Sequence, residues 1–289
     1  MATNQMRREA AKRKLARQQE RRVQQTKRRR QIAVITSVAV VVVVVVGVVL
    51  LTTLPRGSAA PAANDAAAPT SAAAAAAKTP VSIPTAVVPL PTRPTPFPAT
   101  VSCGYPASGE AAKPVKAPGG TGISAQGTVA TTLQTSAGAV PLTLDRALAP
   151  CTVNSFVSLA QQGYFNNTPC HRLTTDAGLQ VLQCGDPTGQ GSGGPGYTIP
   201  DEVFPELTYG RGLLAMANTG QPNSGGSQFF IIYGDGQLPP QYTVFGSISA
   251  AGLQVVDAIA KRGQDGSLDP SPGGGKPVEP VTIQTATVS

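Results

Sequence analysis

The sequence predicts a mainly β domain with two helices, preceded by a single transmembrane helix and a disordered linker. Residues 32–54 carry no charged side chain and are rich in Val, Ile and Leu, which is typical of a membrane-spanning helix. Residues 58–100 are almost only Ala, Pro, Thr, Ser and Val, a composition with little to bury. From residue 122 onward, β-branched residues alternate with polar ones, as in antiparallel strands. We therefore expect the folded core in residues 122–289.

Within that region the pattern predicts a hairpin followed by further strands and two helices. Two β-branched runs flank the turn residues TSAGA in 127–144, which is typical of a hairpin. Thr152 is a candidate N-cap for a helix that ends at Gly163, and a second helix is expected near 253–261. Further strands are predicted at HRL (171–173), LQVLQ (179–183), GLLAMAN (212–218), SQFFIIY (227–233), TVFGSI (243–248) and VTIQTATV (281–288).

Residues 1–30 form a basic tail that contains twelve Lys or Arg residues and two Glu residues. This tail carries a charge of +10 in a chain whose net charge is +8, so the remaining residues sum to −2. The folded domain is therefore nearly neutral, and we do not expect it to bind nucleic acid. The tail could contact anionic lipid or nucleic acid, or it could serve only as a topology signal.

The apolar run predicts a transmembrane helix at residues 31–54. As a helix, the charge-free residues 32–54 reach roughly 34 Å, and the hydrocarbon core of a bilayer is about 30 Å thick. Because the basic tail precedes the run, the N-terminus is expected in the cytoplasm and the domain outside it, at the cell membrane. A cleaved signal peptide is the alternative, since small residues at 58–63 could be cut, but the run exceeds the usual ~7–15 apolar residues.

Residues 55–121 are predicted to be an Ala/Pro-rich linker between the membrane and the domain at 122–289. All four cysteines lie on the outer side of the predicted span, where thiols oxidise, and two disulfides allow three pairings. We favour Cys170 with Cys184, because they flank a predicted strand pair. This choice leaves Cys103 with Cys151.

His171 is the only histidine of the chain, and it could belong to a metal site or act as a base. His171, Cys170 and Cys184 are too few ligands for structural zinc, so no metal is expected. A nucleophile would need His171 as its base, and the sequence has no G-x-S-x-G motif. Neighbouring side chains in a strand face opposite sides, so if Arg172 faces a cleft, His171 is expected to be a hydrogen-bonded core residue.

The glycine-rich segment after Cys184 contains a formal G-x-G-x-x-G motif. No helix is expected after it, because Pro-Gly-Tyr follows, so the context of a dinucleotide site is missing. We interpret the segment as a loop and expect no cofactor.

Four ordered blocks of the sequence resemble the cyclophilins, the peptidyl-prolyl cis-trans isomerases. CHRL, LQCGDPTGQGSGGPGY, AMANTGQPNSGGSQFFI and YTVFGSI are similar to the family patterns F-H-R, Q-G-G-D-x-T-x-G-x-G-G, M-A-N-A-G-x-N-x-x-G-S-Q-F-F-I and V-F-G. The resemblance covers residues 126–288, and the chain also resembles a membrane-anchored actinobacterial subgroup. It implies an eight-stranded antiparallel barrel with two capping helices, proline-containing polypeptides as partners, and a monomer. The alternative is a prolyl-peptide-binding or chaperone domain with little turnover.

The resemblance also implies a set of site residues. Arg172 and Gln183 match the catalytic positions of the family. The substrate-binding positions match Ala217, Asn218, Thr219, Gln228 and Phe230, with Met216, Val181, Leu238 and Tyr242 as further walls of the proline pocket.

The sequence departs from the family pattern at three places. The segment between Arg172 and Gly185 is longer, which leaves open whether Leu179 or Gln180 replaces a pocket phenylalanine. Gln237 occupies the site of a frequent tryptophan, which implies weaker binding of cyclosporin. Tyr242 stands where a histidine is frequent, which implies an altered substrate preference.

Overall fold

The computed structural model describes residues 76–289. The predicted basic tail at 1–30 and the predicted transmembrane helix at 31–54 lie outside the described residues. Neither helix within residues 76–289 combines the length and the apolar composition that a membrane span requires.

Thirteen strands and two helices form the described part of the chain. The strands are β1 (Thr100–Val101), β2 (Ala107–Ala111), β3 (Ile123–Ser124), β4 (Thr128–Thr135), β5 (Gly138–Asp145), β6 (Thr168–Pro169), β7 (Arg172–Leu173), β8 (Leu179–Cys184), β9 (Pro195–Tyr197), β10 (Leu213–Met216), β11 (Phe229–Gly236), β12 (Val244–Ile248) and β13 (Thr282–Val288). The helices are α1 (Pro150–Gln161) and α2 (Ala250–Arg262). The prediction of a mainly β domain with two helices is confirmed.

Nine of the strands form one antiparallel sheet in the order β6-β13-β4-β5-β12-β10-β11-β8-β7. The first and last strands in this order, β6 and β7, are separated along the chain only by Cys170 and His171. Two intervening residues place the facing ends of these strands at most about 11 Å apart. The sheet therefore curls until its two edges meet. The expected barrel is present in this form, with nine strands in its sheet instead of eight.

The interior of the barrel is filled by aromatic side chains. Phe156 of α1 packs against Phe165, Phe229 and Phe245, with ring centroids 4.8, 5.3 and 5.4 Å away. All four side chains are buried, as is the inward-facing half of the β4–β5 hairpin. Helix α1 closes one end of the barrel because its apolar face supplies part of this core.

The N-terminus of α1 is capped by a distant carboxylate. The Glu202 carboxylate accepts hydrogen bonds from the backbone N–H groups of Cys151 and Thr152, both at 2.9 Å. The prediction that Thr152 is the N-cap was wrong, because the helix begins two residues earlier at Pro150. The Thr152 hydroxyl instead donates to Glu202 at 2.8 Å.

Residues 76–121 pack on the domain, which differs from the expectation of a disordered linker over this range. The strap, residues 76–99, places Ile83, Val88 and Leu90 against the core. The Val88 N–H donates to the Arg211 carbonyl at 2.9 Å. A side chain at Gly210 would collide with Val88, so this glycine makes room for the strap. The composition of this segment indicated too few apolar residues to form a core of its own. It could not show that these few residues pack on the surface of the neighbouring domain.

The rest of this N-terminal extension is tied down by pairing and by a disulfide. Strand β1 pairs with β3, and β2 pairs with β9. Cys103 is bonded to Cys151 at the start of α1, and Cys170 is bonded to Cys184. Both favoured cysteine pairings are therefore confirmed.

A buried carboxylate organises the glycine-rich loop at 185–194. Asp186 accepts hydrogen bonds from the backbone N–H groups of Thr188, Ser192 and Gly193, at 2.8, 3.0 and 3.0 Å. Burial alone would raise the pKa of the Asp186 carboxyl, but bonds from the Thr188 hydroxyl and the backbone outweigh it and lower that pKa. The loop therefore takes its shape from ionised Asp186, in agreement with its interpretation as a loop.

Loss of the Cys103–Cys151 disulfide should destabilise the domain. The bond joins residues separated by 48 positions, and in the chain-entropy account such a loop contributes about 4 kcal/mol. We expect the double variant Cys103→Ala/Cys151→Ala to unfold at a clearly lower urea concentration than the wild-type chain. An unchanged unfolding midpoint, with Cys170–Cys184 verified as intact, would contradict this account.

Replacement of Asp186 should remove a pH-dependent part of the stability. The folded-state pKa of this carboxyl lies below its ordinary value of 3.8, so its contribution is present above 3.8 and lost as pH falls through the folded pKa. Asp186→Asn should lower the free energy of unfolding by about 1–3 kcal/mol at pH 7. The difference from wild type should shrink below pH 3.8.

The matched control for this prediction is Asp235→Asn, because Asp235 is exposed. The stability of both variants and of the wild type is measured by thermal unfolding at several pH values. If the difference in stability between Asp186→Asn and the wild type stays constant from neutral to acid pH, the ionised carboxylate is not the source of that difference.

Candidate active site

Arg172 lies on the last strand of the sheet, and its guanidinium is fixed by three hydrogen bonds. Its Nη1 donates to the Gln183 side-chain oxygen at 3.0 Å. Its Nε donates to the Gly273 carbonyl and its Nη2 to the Pro272 carbonyl, both at 2.9 Å. Burial lowers the pKa of the Arg172 guanidinium from its ordinary value, yet arginine stays charged in proteins. The result is a positive group held in one orientation and still partly open to solvent.

The register of the sheet explains why Arg172 and Gln183 meet. They are direct partners in the β7–β8 ladder, and opposite residues of an antiparallel pair project on the same face. Gln183 Nε2 then donates to the Gln228 side-chain oxygen, and Gln228 Nε2 donates to the Gly193 carbonyl, each at 3.0 Å. The predicted residues Arg172, Gln183 and Gln228 therefore form one continuous chain of hydrogen bonds.

Phe230 lies beside this chain and provides an apolar floor. It is the direct partner of Gln183 on one side and of Ala215 on the other. The Tyr242 ring meets the Phe230 ring edge-on, with centroids 5.6 Å apart. Leu238 and Tyr242 are half-buried, so their side chains remain accessible at the surface of the core. The arrangement offers an apolar pocket next to a fixed cation.

Alternation along β8 resolves the question about Leu179 and Gln180. Leu179 and Val181 lie on the same face of β8 as Gln183, whereas Gln180 lies on the opposite face. Gln180 is buried, and its Nε2 donates to the Ser82 carbonyl of the strap at 2.7 Å. Leu179 is therefore the residue that takes the pocket side, and Gln180 anchors the strap.

Met216 lies on the other face of the sheet from Phe230. Its direct partner is Phe229, which packs in the barrel interior. The Met216 side chain also lies close to Gly225. The register thus assigns Met216 to the core, which differs from the pocket-wall role that the resemblance implied.

The segment Ala217–Thr219 forms one edge of the site. The Ala217 N–H donates to the Gln228 carbonyl at 2.9 Å, which ties the segment to the hydrogen-bonded chain. The Asn218 side chain donates to the Gln241 carbonyl at 2.8 Å and accepts from the Gly220 N–H at 2.9 Å. The side chain is therefore used to shape the loop, so the part of Asn218 available to a peptide is its backbone.

His171 is buried with 7% of its surface exposed, as expected of a core residue. The expected hydrogen bond is absent at one nitrogen, since Nδ1 has no partner within residues 76–289. Burial lowers the pKa of the His171 imidazole, with nearby Asp186 acting in the opposite direction. Within the described residues, no group of three His, Cys, Asp or Glu side chains could hold a metal ion.

Sequence reasoning did not find the two carbonyls that hold Arg172. Pro272 and Gly273 lie 100 and 101 positions further along the chain. They act through backbone oxygens, and any residue type carries those. The sequence SPGGG marks a turn at this place, but nothing in it indicates which side chain the turn contacts.

Comparisons with known proteins agree with this geometry. The family model for the cyclophilin-type peptidyl-prolyl cis-trans isomerase matches residues 130–288. A probable peptidyl-prolyl cis-trans isomerase B from Mycobacterium leprae is 50% identical over 64% of this chain and 66% of its own length. The corresponding protein from Mycobacterium tuberculosis is 50% identical over 63% of this chain and 62% of its own length. The chain thus spans slightly less than two thirds of these relatives.

A solved structure supports the same conclusion. The crystal structure of a cyclophilin-type peptidyl-prolyl cis-trans isomerase from Cryptosporidium parvum matches with a TM-score of 0.50 and 31% identity. The match covers 56% of this chain and 98% of that protein. Together with the curled sheet and the Arg172–Gln183–Gln228 chain, these matches show that the chain belongs to the cyclophilin-type peptidyl-prolyl cis-trans isomerase family.

Proposed function

We propose that the protein catalyses the cis–trans isomerisation of X-Pro peptide bonds in extracytoplasmic polypeptides. The observation that carries this proposal is the fixed guanidinium of Arg172 beside the apolar floor of Phe230. A proline ring fits an apolar pocket, and the bond that precedes it then lies within reach of the cation. Family membership supports the same activity.

The chemistry needs no nucleophile, because no covalent bond breaks. Rotation about a peptide bond has a barrier of about 18–20 kcal/mol, which reflects the resonance between nitrogen and carbonyl. In the twisted transition state this resonance is lost, and the prolyl nitrogen becomes a hydrogen-bond acceptor. A donor aimed at this nitrogen therefore binds the transition state more tightly than either ground state, which is the condition for catalysis.

Arg172 has free donors for this role. A guanidinium carries five N–H bonds, and the described contacts use three of them, one on each nitrogen. One N–H on Nη1 and one on Nη2 remain for the substrate. Because the group is already oriented, little reorganisation is required when the amide twists. A hundred-thousandfold acceleration needs about 7 kcal/mol of such differential stabilisation.

Gln183 acts mainly as a support for Arg172. Its oxygen accepts from Arg172, and its nitrogen donates to Gln228. Both ends of the amide are thus engaged within the protein, and one nitrogen-bound hydrogen remains for a substrate carbonyl. The backbone of Asn218 offers the opposite edge of the groove to an extended peptide.

We further propose a single-pass membrane protein with a cytoplasmic N-terminus and an extracytoplasmic domain. The charge-free run at 31–54 after a basic tail supports this orientation. The two disulfides of the described domain fit an oxidising compartment. The clients would then be proline-containing proteins that fold outside the cytoplasm.

Replacement of Arg172 should abolish most of the activity. For the full-length chain we expect Arg172→Ala to lower kcat/KM for a short X-Pro peptide about 10²–10³-fold, as when one preorganised donor is removed elsewhere. Arg172→Lys should restore little, because an ammonium cannot bond Pro272, Gly273 and Gln183 in the same plane. The activity of the wild type, Arg172→Ala and Arg172→Lys is measured as the rate of cis-to-trans isomerisation of the peptide.

Arg146→Ala is the matched control, since among the described residues the Arg146 side chain hydrogen-bonds only the Thr128 carbonyl, away from Arg172. Its rate should equal that of the wild type. A wild-type chain that binds the peptide without accelerating its isomerisation would favour the alternative, a prolyl-peptide-binding module.

The proposed orientation predicts which face of the membrane exposes the domain. A protease added to right-side-out membrane vesicles should digest the domain and leave an epitope at the N-terminus intact. If the protease digests the N-terminal epitope and leaves the domain intact, the orientation is the opposite of the one proposed. Recovery of the domain in the soluble fraction would favour the cleaved signal peptide.

A further inference from the structure

The strap reaches the loop that orients Arg172. The Lys78 N–H donates to the Gln264 carbonyl at 2.8 Å, and the Gln264 N–H donates back to the Lys78 carbonyl at 3.0 Å. This pair of bonds fixes the backbone of the strap at the entrance of the loop at 265–276. The Lys78 side chain then extends along the loop, and its Nζ lies 2.5 Å from Asp269 Oδ2.

Asp269 uses its second carboxylate oxygen inside the loop. Its Oδ1 accepts the backbone N–H of Gly274 at 2.7 Å. The hydrogen bond from Lys78 lowers the pKa of the Asp269 carboxyl, so the carboxylate is ionised at neutral pH. One carboxylate therefore joins the strap to the turn at 269–274.

The same turn presents its carbonyls to Arg172. Pro272 and Gly273 lie between Asp269 and Gly274, and they accept two of the three hydrogen bonds that fix the guanidinium. The far side of the loop is fastened to β7, because Leu173 and Gly275 exchange backbone hydrogen bonds at 2.7 and 3.1 Å. On the near side, the link to the strap is the Lys78–Asp269 ion pair.

We propose that Lys78 is a positioning residue for Arg172, acting through Asp269 and the carbonyls of Pro272 and Gly273. The proposal rests on the proposed isomerase function. Lys78 forms its hydrogen bonds with Gln264 and Asp269 and none with Arg172, so it affects the orientation of the donor and leaves the proline pocket unchanged. Its loss therefore lowers kcat and leaves KM near the wild-type value, which is the pattern for an interaction made only in the transition state.

The test compares five variants of the full-length chain: Lys78→Met, Lys78→Arg, Asp269→Asn, the double variant Lys78→Met/Asp269→Asn, and Lys113→Met. Methionine keeps the length of the lysine stem and removes its charge. We expect Lys78→Met and Asp269→Asn each to lower kcat roughly two- to fivefold, the range for an exposed ion pair. Lys78→Arg should restore most of the rate. The double variant should be no slower than either single variant, because both remove the same link.

Lys113→Met is the matched control. Lys113 belongs to the same N-terminal extension, and its Nζ donates to the carbonyls of Gly163 and Asn166 at 2.8 and 3.0 Å. None of the hydrogen bonds of its side chain is to the 265–276 loop, so kcat should stay at the wild-type value. An unchanged kcat in Lys78→Met, or an equal loss in Lys113→Met, would overturn the proposal.

Salt separates positioning from a general loss of stability. The side chains of Lys78 and Asp269 are 56% and 29% exposed, so their attraction is screened at about 1 M NaCl. At this salt concentration the kcat of the wild type should fall toward that of Lys78→Met, whereas the kcat of Lys78→Met should change little. Equal salt dependence of the two forms would count against the ion pair.

A readout without turnover keeps this inference separate from the proposed function. The Arg172 Nε–H donates to Gly273 and should exchange slowly with solvent in an NMR experiment on the wild-type chain. Lys78→Met should speed this exchange, whether or not the chain is an isomerase. An unchanged exchange rate would refute positioning by Lys78, and a missing isomerase activity would refute only the proposed function.

Discussion

The orientation of one guanidinium is the constraint on which the site depends. Arg172 is a long side chain on a two-residue edge strand, and such a chain loses much conformational entropy when it is held in one position. Its three acceptors come from two separate places, Gln183 on β8 and the turn that contains Pro272 and Gly273. The β7–β8 ladder places Gln183 beside Arg172, and the backbone bonds between Leu173 and Gly275 place the turn there, so the sheet and the loop fastened to it together orient the donor.

A second group of polar contacts extends from Arg172 into the glycine-rich loop. Gln183 binds Gln228, Gln228 binds the Gly193 carbonyl, and the Gly193 N–H binds Asp186. Such a chain is stabilising only when every member is satisfied, because an unpaired buried polar group is costly. The buried carboxylate of Asp186 therefore supports the active site from a distance, through the shape of a loop.

The N-terminal extension links the barrel to the segment that precedes it. Gln180 holds the strap at Ser82, and Lys78 holds the loop of Arg172. The strap thus contacts both the sheet, through Gln180, and the loop whose carbonyls hold Arg172. These contacts tie the strap to the two elements that surround Arg172, which the composition of a spacer did not indicate.

The sequence by itself determined the mainly β class and the two helices, it favoured the two cysteine pairings that the structure has, and its resemblance to the cyclophilins pointed to Arg172 and Gln183. The strands and helices follow from local periodicity, and the two site residues match short motifs whose residues lie close together along the chain. Cys103 and Cys151 are 48 positions apart and were paired as the two cysteines that remained. Only the tertiary structure decided that Met216 faces the core, that Leu179 and not Gln180 faces the pocket, and that the strap is packed. It alone revealed the carbonyls of Pro272 and Gly273, because register and backbone contacts across a hundred residues leave no signature in residue type.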